Sequence, residues 1–362
     1  MPNLSNLVRP VAYPAIDGLR TYAAISVFAL HIGGGAVTEY FGVPGHQLSY
    51  KADAWTWRFL MYVLDGNHGV DVFFVISGFL MARIVLSQRE RFSYGRFLSH
   101  RFWRIYPAFL VSLVVTAVAD VHLFNWPWKP VDFFKNLVFL NAVPSLEVLP
   151  YNHVTWSLGY EFAFYIIIPL LTLLARFIDS RVAALILGVA AFWLLPNGYS
   201  RMLGMFAGAL VGSMHDDALR RVAKALPLWL VVLAFLACGI LKAVWFNSFG
   251  SYYYAFLPLA TLAFVKIVWD DSNVLSRFFS SLPLRALGTL SYSIYLLHPV
   301  IASTALHRFT PLPPSLGGLV WYIVTSFIVT VAAAYCCYML VERRYFMRRS
   351  SETKVAVVTA NT

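Results

Sequence analysis

The sequence predicts an all-α, polytopic membrane protein: a helix bundle of about ten transmembrane helices with both termini cytoplasmic. Three observations predict it. The 362 residues are 59% hydrophobic and 17% aromatic with only 12% charged, far from the mix of a soluble domain. Apolar runs of spanning length recur along the whole chain, and the basic residues collect in alternate loops between them.

A helix needs about 17–25 apolar residues to cross the hydrocarbon core. The candidate spans run from Gly18 to Val37, His68 to Leu86, Ile105 to Leu123, Trp156 to Phe177, Val182 to Leu195, Met202 to Met214, Leu226 to Phe246, Tyr252 to Trp269, Gly288 to Phe309 and Gly317 to Val341. The fifth and sixth are short. The apolar segment Asp132 to Val143 is shorter still, and is predicted to lie at the interface or to re-enter. The first run ends in Gly33, Gly34 and Gly35 without a convincing cleavage site, so it reads as an uncleaved first helix rather than a signal peptide. No repeat or low-complexity tract marks a second domain. Residues 1–349 are expected to form one transmembrane domain and residues 350–362 a short disordered cytoplasmic tail.

The net charge of +11 does not signal nucleic acid, because the basic residues sit in short clusters between apolar runs rather than along one polar surface. They act instead as orientation signals. With the N-terminus inside, Lys51, Arg58, Lys129, Lys135, Arg201, Lys242 and Arg308 fall outside and the other basic residues inside, a bias of three to one. The three cysteines, Cys238, Cys336 and Cys337, lie in apolar segments and carry no information about redox compartment.

Ionisable groups within a bilayer cost about 2.5–3.5 kcal/mol each on insertion scales, so each needs a partner or a task. Four constellations qualify. In the first, Asp17-Gly18-Leu19-Arg20 precedes His31. At about 100° and about 1.5 Å per residue, the step from Arg20 to His31 returns to within about 20° of the same helix face and about 16 Å deeper. A cation at the inner surface is thus aligned with a titratable base near mid-membrane. In the second, His100 to Pro107, Arg101 and Arg104 share a face at i, i+3, where two guanidinium forks can hold a phosphate group. In the third, Glu161 sits one turn from Tyr165 in an otherwise apolar run, and is expected to point into the bundle from the outer side. In the fourth, Ser291, Tyr295 and His298 form one stripe, Pro299 frees the carbonyl of Tyr295, and His298 reaches about the depth of His31.

Each constellation has a structural alternative. Arg20, Arg101 and Arg104 are also ordinary inner-surface anchors, His31 a hydrogen-bonded packing residue, Glu161 one half of a buried pair, and the Ser–Tyr stripe a means of joining helices. Asp71 and Ser77 in the second span serve packing or line a cavity, and Gly204, Gly208 and Gly212 have the spacing of a close helix crossing. Intramembrane His and Glu are equally the materials of a proton-coupled transporter, although no inverted repeat with broken helices in matching halves is found. A non-catalytic membrane protein would have no reason to align Arg20 with His31.

Taken together and in this order, the constellations resemble the acyltransferase 3 family of membrane O-acyltransferases. The resemblance runs from about Ile16 to Tyr345. It rests on the spacing of Arg20 and His31, the Gly-Val-Asp-x-Phe-Phe-Val-x-Ser-Gly-Phe stretch at Gly69 to Phe79, the Arg-x-x-Arg of Arg101 and Arg104, the Glu-x-x-x-Tyr of Glu161 and Tyr165, and the stretch Ser291 to Pro299. The family often has Arg where His100 stands and Pro where Arg344 stands.

The resemblance implies transfer of an acyl group, most often acetyl, from cytoplasmic acyl-CoA to a hydroxyl of a carbohydrate or glycolipid, such as O-antigen or exopolysaccharide, in the bacterial inner membrane. Acyl-CoA would be a co-substrate, with no permanently bound cofactor and no metal. On this reading Arg20, Arg101 and Arg104 bind the coenzyme's phosphates and His31 takes the proton of the attacking hydroxyl. Glu161 and Tyr165, nearer the outer face, position His31 or the sugar, while Asp17, Asp71, Ser77, Ser291, Tyr295 and His298 support the site. Direct transfer is expected, because no activated Ser or Cys accompanies the histidine.

Overall fold

Backbone N–H and C=O groups cannot be left unpaired in hydrocarbon, and helices satisfy them within one segment. The computed structural model follows that constraint. It describes residues 7–8, 11–33, 66–88, 91–142, 146–194, 201–244, 249–309 and 316–343, and among the described residues there are helices and no strands. In chain order these are α1 (Pro14–Phe28, continued by a π-helical turn Ala29–Gly33), α2 (His68–Ser87), α3 (Tyr94–His122), α4 (Pro130–Leu137), α5 (Trp156–Ile167), α6 (Leu170–Leu174), α7 (Ser180–Leu194) and α8 (Leu203–Gly212). They are followed by α9 (Asp216–Ala225), α10 (Leu228–Val244), α11 (Phe249–Trp269), α12 (Val274–Phe279), α13 (Leu282–Phe309) and α14 (Leu316–Cys337, continued by a π-helical turn Tyr338–Glu342).

Every one of the ten expected segments carries helix, but their lengths differ from expectation. Among the described residues, four helical segments are long and apolar enough to cross a membrane: His68–Ser87, Tyr94–His122, His153–Leu174 and Val320–Glu342. Asp216–Ala225 and Leu228–Ile240 meet at 78° and qualify together as a fifth. At about 1.5 Å per residue, α8 is about 15 Å long, half of the roughly 30 Å hydrocarbon core. The segment expected to be too short to span is α4 and the 3-10 turn Leu140–Ala142. Helix α3 begins at Tyr94 rather than near Ile105, so Arg96, Arg101 and Arg104 stand on helix and not in a loop. Hydropathy alone cannot see this, since charge lowers the index without breaking a helix. The expected tail, 350–362, lies outside the described residues.

Helix α2 is the most enclosed of the four. Its Phe74 and Phe79 are buried, and it packs against α8 and α1, while α1 in turn packs against α13. Glycine permits the closest of these approaches. A Cβ at Gly78 would run into the carbonyl of Met205, and one at Gly208 into the carbonyl of Val75, so α2 and α8 cross backbone to backbone. Gly18 and Gly288 do the same where α1 meets Phe279 and α13 meets Asp17.

Charged clasps close the bundle. Arg201 grips Asp71 through both arms of its fork, at 3.1 Å from Nε and 3.1 Å from Nη2, and donates to the carbonyl of Asn67. Asp216 gathers Arg83, Tyr13 and the indole of Trp269. Lys266 bonds Asp270 and the carbonyl of Ala223, which ties α9 to α11.

A Gly208→Ala substitution should force α2 and α8 apart and lower the thermal midpoint of the purified protein in detergent. An unchanged midpoint would show that the two backbones do not meet there.

Candidate active site

Two polar assemblies occupy the interior, and residues far apart in the chain build each. The first is a cavity of about 150 Å³ lined by polar groups from five helices: Arg20 of α1, Ser77 of α2, Arg101 and Arg104 of α3, Glu161 and Tyr165 of α5, and Tyr292 and Tyr295 of α13. Apolar side chains, among them Phe73, Phe74 and Met81, fill the rest of its wall. The Tyr165 hydroxyl donates to Glu161 at 3.3 Å, Ser77 also bonds that carboxylate, and Arg104 and Arg20 are within electrostatic reach of it. Glu161 and Tyr165, expected nearer the outer face beside His31 or the sugar, thus line the arginine cavity instead. A carboxylate inside the bundle is least costly where cations and hydroxyls already converge.

Arg104 has a partner that the sequence did not suggest. Its Nη1 lies 2.6 Å from Oε2 of Glu342, whose other oxygen accepts from Ser293 at 2.6 Å. The two side chains are 16% and 1% exposed, so this is a buried pair. Glu342 stands on the π-helical turn that ends α14, and the guanidinium of Arg104 also lies over the ring of Tyr292 at 5.4 Å. Three helices are thereby joined at one arginine.

The second assembly is a group of histidines. Nδ1 of His31 lies 2.7 Å from Nε2 of His298, with the ring centroids 5.0 Å apart and the planes 15° from parallel. His298 is fully buried, and its Nδ1 lies 3.1 Å from the carbonyl oxygen of Ile294. His153, which the sequence reading passed over, sets its ring edge-on to His31 at 4.7 Å. Its local signal was slight: an Asn-His pair three residues ahead of α5. The segment is docked on α13 by Asn152 donating to the carbonyl of Leu296 at 2.8 Å, and by Tyr295, which meets Ser157 at 2.8 Å and the carbonyl of Val154 at 2.9 Å.

Tyr295 belongs to both assemblies. It lines the arginine cavity, and its ring centroid is 6.0 Å from that of His298. The remaining candidates stand apart. Asp17 pairs with Arg285 at 3.8 Å where α1 begins, Asp71 is held by Arg201, and the buried Ser291 hydroxyl returns to its own helix at the carbonyl of Gly288. Each of these three holds helices or backbone, and none is among the residues that line the arginine cavity.

A helical bundle that gathers Arg20, Arg101, Arg104 and Glu161 around one cavity, with a histidine cluster beside it, defines a membrane protein with a polar site among its helices. The family model described as an acyltransferase domain matches residues 13–339, and the chain belongs to this acyltransferase 3 family. Among similar proteins, it is 26% identical to the peptidoglycan O-acetyltransferase of Listeria monocytogenes over 91% of this chain and 55% of that one. It is 24% identical to an O-acetyltransferase of Staphylococcus aureus over 82% of this chain and 52% of that one. An acyltransferase of Streptomyces mycarofaciens is 32% identical over 48% of this chain and 42% of its own length. The chain spans about half the length of these relatives. No solved structure matches it.

Removing the partner of a buried charge typically costs about 3–5 kcal/mol. Glu342→Ala should therefore destabilise the folded protein by that order, read as a marked fall in melting temperature in detergent, with Glu342→Gln intermediate. A Glu342→Ala protein that melts with its parent would show that Arg104 does not depend on this carboxylate.

Proposed function

We propose that the protein is a multi-pass enzyme of the bacterial cytoplasmic membrane that moves a short acyl group, acetyl above all, from acyl-CoA to a hydroxyl of a carbohydrate or glycolipid. Family membership supports acyl transfer, and the names of the two O-acetyltransferase relatives support acetyl as the group. The name of the Listeria relative adds a carbohydrate polymer as the class of acceptor. The observation that carries the reading within this chain is the arrangement on α1: Arg20 lines the arginine cavity and His31, about 16 Å further along the helix, meets His298. The bundle is read with ten crossings and both termini in the cytoplasm, which the charge bias supports.

In this reading the arginine cavity faces the cytoplasm and receives the donor. Arg20 and Arg101 meet phosphate oxygens at its mouth, with Arg104 held in place by Glu342. A volume of about 150 Å³ is comparable to an engineered protein cavity that holds benzene, which suits a short acyl thioester and excludes the nucleotide. Ser77, Glu161 and Tyr165 orient this end, and Tyr295 lies between it and the histidines.

The acceptor hydroxyl approaches from the side of His153. Its oxygen attacks the thioester carbonyl carbon, the carbon–sulfur bond breaks, and His31 takes the hydroxyl proton and returns it to the departing thiolate. The products are an ester and free coenzyme A thiol. No acyl-enzyme is required.

Purified protein in proteoliposomes, given labelled acetyl-CoA and an oligosaccharide acceptor, should form a labelled ester. His31→Ala should lower the rate by about 10²–10⁴-fold, the usual contribution of a general base. Activity near that of the parent would remove His31 from the role. Arg101→Gln should raise the Michaelis constant for the donor and leave that for the acceptor unchanged; an unchanged donor constant would overturn the phosphate role.

A further inference from the structure

The histidine pair is asymmetric, and its hydrogen bonds decide which nitrogen is free to act. A carbonyl oxygen only accepts, so the contact at 3.1 Å between His298 Nδ1 and the carbonyl of Ile294 requires a hydrogen on that nitrogen. In a neutral ring the other nitrogen, Nε2, then carries the lone pair. It lies 2.7 Å from His31 Nδ1, which must supply the hydrogen between them. The lone pair of neutral His31 is thereby left on Nε2. One backbone carbonyl sets the tautomer of two side chains in series.

The local sequence makes the carbonyl end of this chain available. Pro299 has no N–H, so the carbonyl of Tyr295 has no helical donor one turn on, and it too is a backbone acceptor for the His298 ring. His298 is fully buried among Phe28, Tyr295 and His31, so water does not compete for the same nitrogens. The two ring planes lie 15° from parallel and their centroids are 5.0 Å apart, so the rings meet edge to edge through their nitrogens.

We infer that His298 is a positioning residue for acyl transfer, holding His31 in the tautomer whose Nε2 is the base, with the carbonyl of Ile294 as the fixed end of the relay. This rests on the reading of His31 as the base. As His31 takes the proton from the acceptor hydroxyl at Nε2, its Nδ1–H becomes a charge-assisted donor to His298 Nε2, and the bond strengthens as charge develops. A carboxylate in the same place would do similar work, but a neutral imidazole does it without burying a second charge. The proton leaves again from Nε2 to the thiolate, so His298 ends each turnover as it began.

Two variants and one spectrum test this in the full chain. His298→Phe keeps an aromatic ring but removes the acceptor. It should lower kcat by about 10²-fold, within the range of general-base contributions, with both Michaelis constants little changed. His298→Gln offers an amide oxygen to His31 Nδ1 and an amide N–H to the Ile294 carbonyl, and should recover most of that loss. A His298→Phe protein with the parent's kcat, or a His298→Gln protein no better than His298→Phe, would overturn the positioning role. If His31→Ala retains activity, the base assignment itself fails, a different outcome from a dead His31→Ala beside an active His298→Phe. Independently of whether any variant folds, solid-state NMR of the ¹⁵N-histidine-labelled parent should show His31 protonated at Nδ1 and bare at Nε2 at neutral pH. The opposite tautomer would overturn the inference outright.

Discussion

The cost of placing charge inside a bilayer is the constraint on which the rest of this structure depends. Each ionisable side chain in the helical bundle must be neutral, paired or given a polar cavity, and the pairings decide which helices meet. Arg104 with Glu342 and Ser293 fastens α3 to α13 and α14. Asp71 with Arg201 fastens α2 to the start of α8. Apolar packing supplies the bulk of the contact, but lipid tails are as apolar as the side chains they would replace, so packing alone does not select partners. Glycine does part of the selecting by letting backbones touch, as at Gly78 and Gly208, and the buried charges do the rest.

The same constraint explains how the interior is divided. Cations, a carboxylate and tyrosines share one cavity, where each compensates the others. The histidines, which can be neutral, lie beside that cavity, with His298 fully buried, His31 partly exposed and His153 exposed. Under the proposed function, a donor carrying phosphates and an acceptor hydroxyl that must lose a proton would use these two environments side by side. Tyr295 bridges them through its ring and its bonds to Ser157 and Val154.

Much of this was legible in the sequence, for identifiable reasons. Arg20 and His31 lie on one helix, so periodicity alone put them on one face, and the helix repeat likewise paired Glu161 with Tyr165. The similar depths of His31 and His298 followed from counting along two helices. What escaped was whatever depends on tertiary approach. Glu342, beside Arg343 and Arg344 at a helix end, carries no periodic signal that pairs it with Arg104. His153 sits on a short 3-10 turn with no periodicity to mark it, and only the docking of Asn152 on α13 brings it over His31. Glu161 was correctly read as facing inward, but its neighbours could not be, because they come from α1, α2 and α3. Helix ends were misjudged where arginines interrupt the apolar run, as at Tyr94, since hydropathy measures transfer cost and not helix continuity.

The central claim is that the arginine cavity and the histidine pair form one continuous path for a single transfer. Cryo-electron microscopy of the full chain in lipid nanodiscs with a non-hydrolysable acyl-CoA analogue tests it most directly. The account predicts phosphates beside Arg20 and Arg101, and the acyl carbon directed past Tyr295 toward His31. The gap should hold one hydroxyl oxygen, about 3–3.5 Å from that carbon and about 2.6–3.2 Å from Nε2 of His31. An analogue bound away from the arginines, or bound there with its acyl end turned from His31, would contradict it.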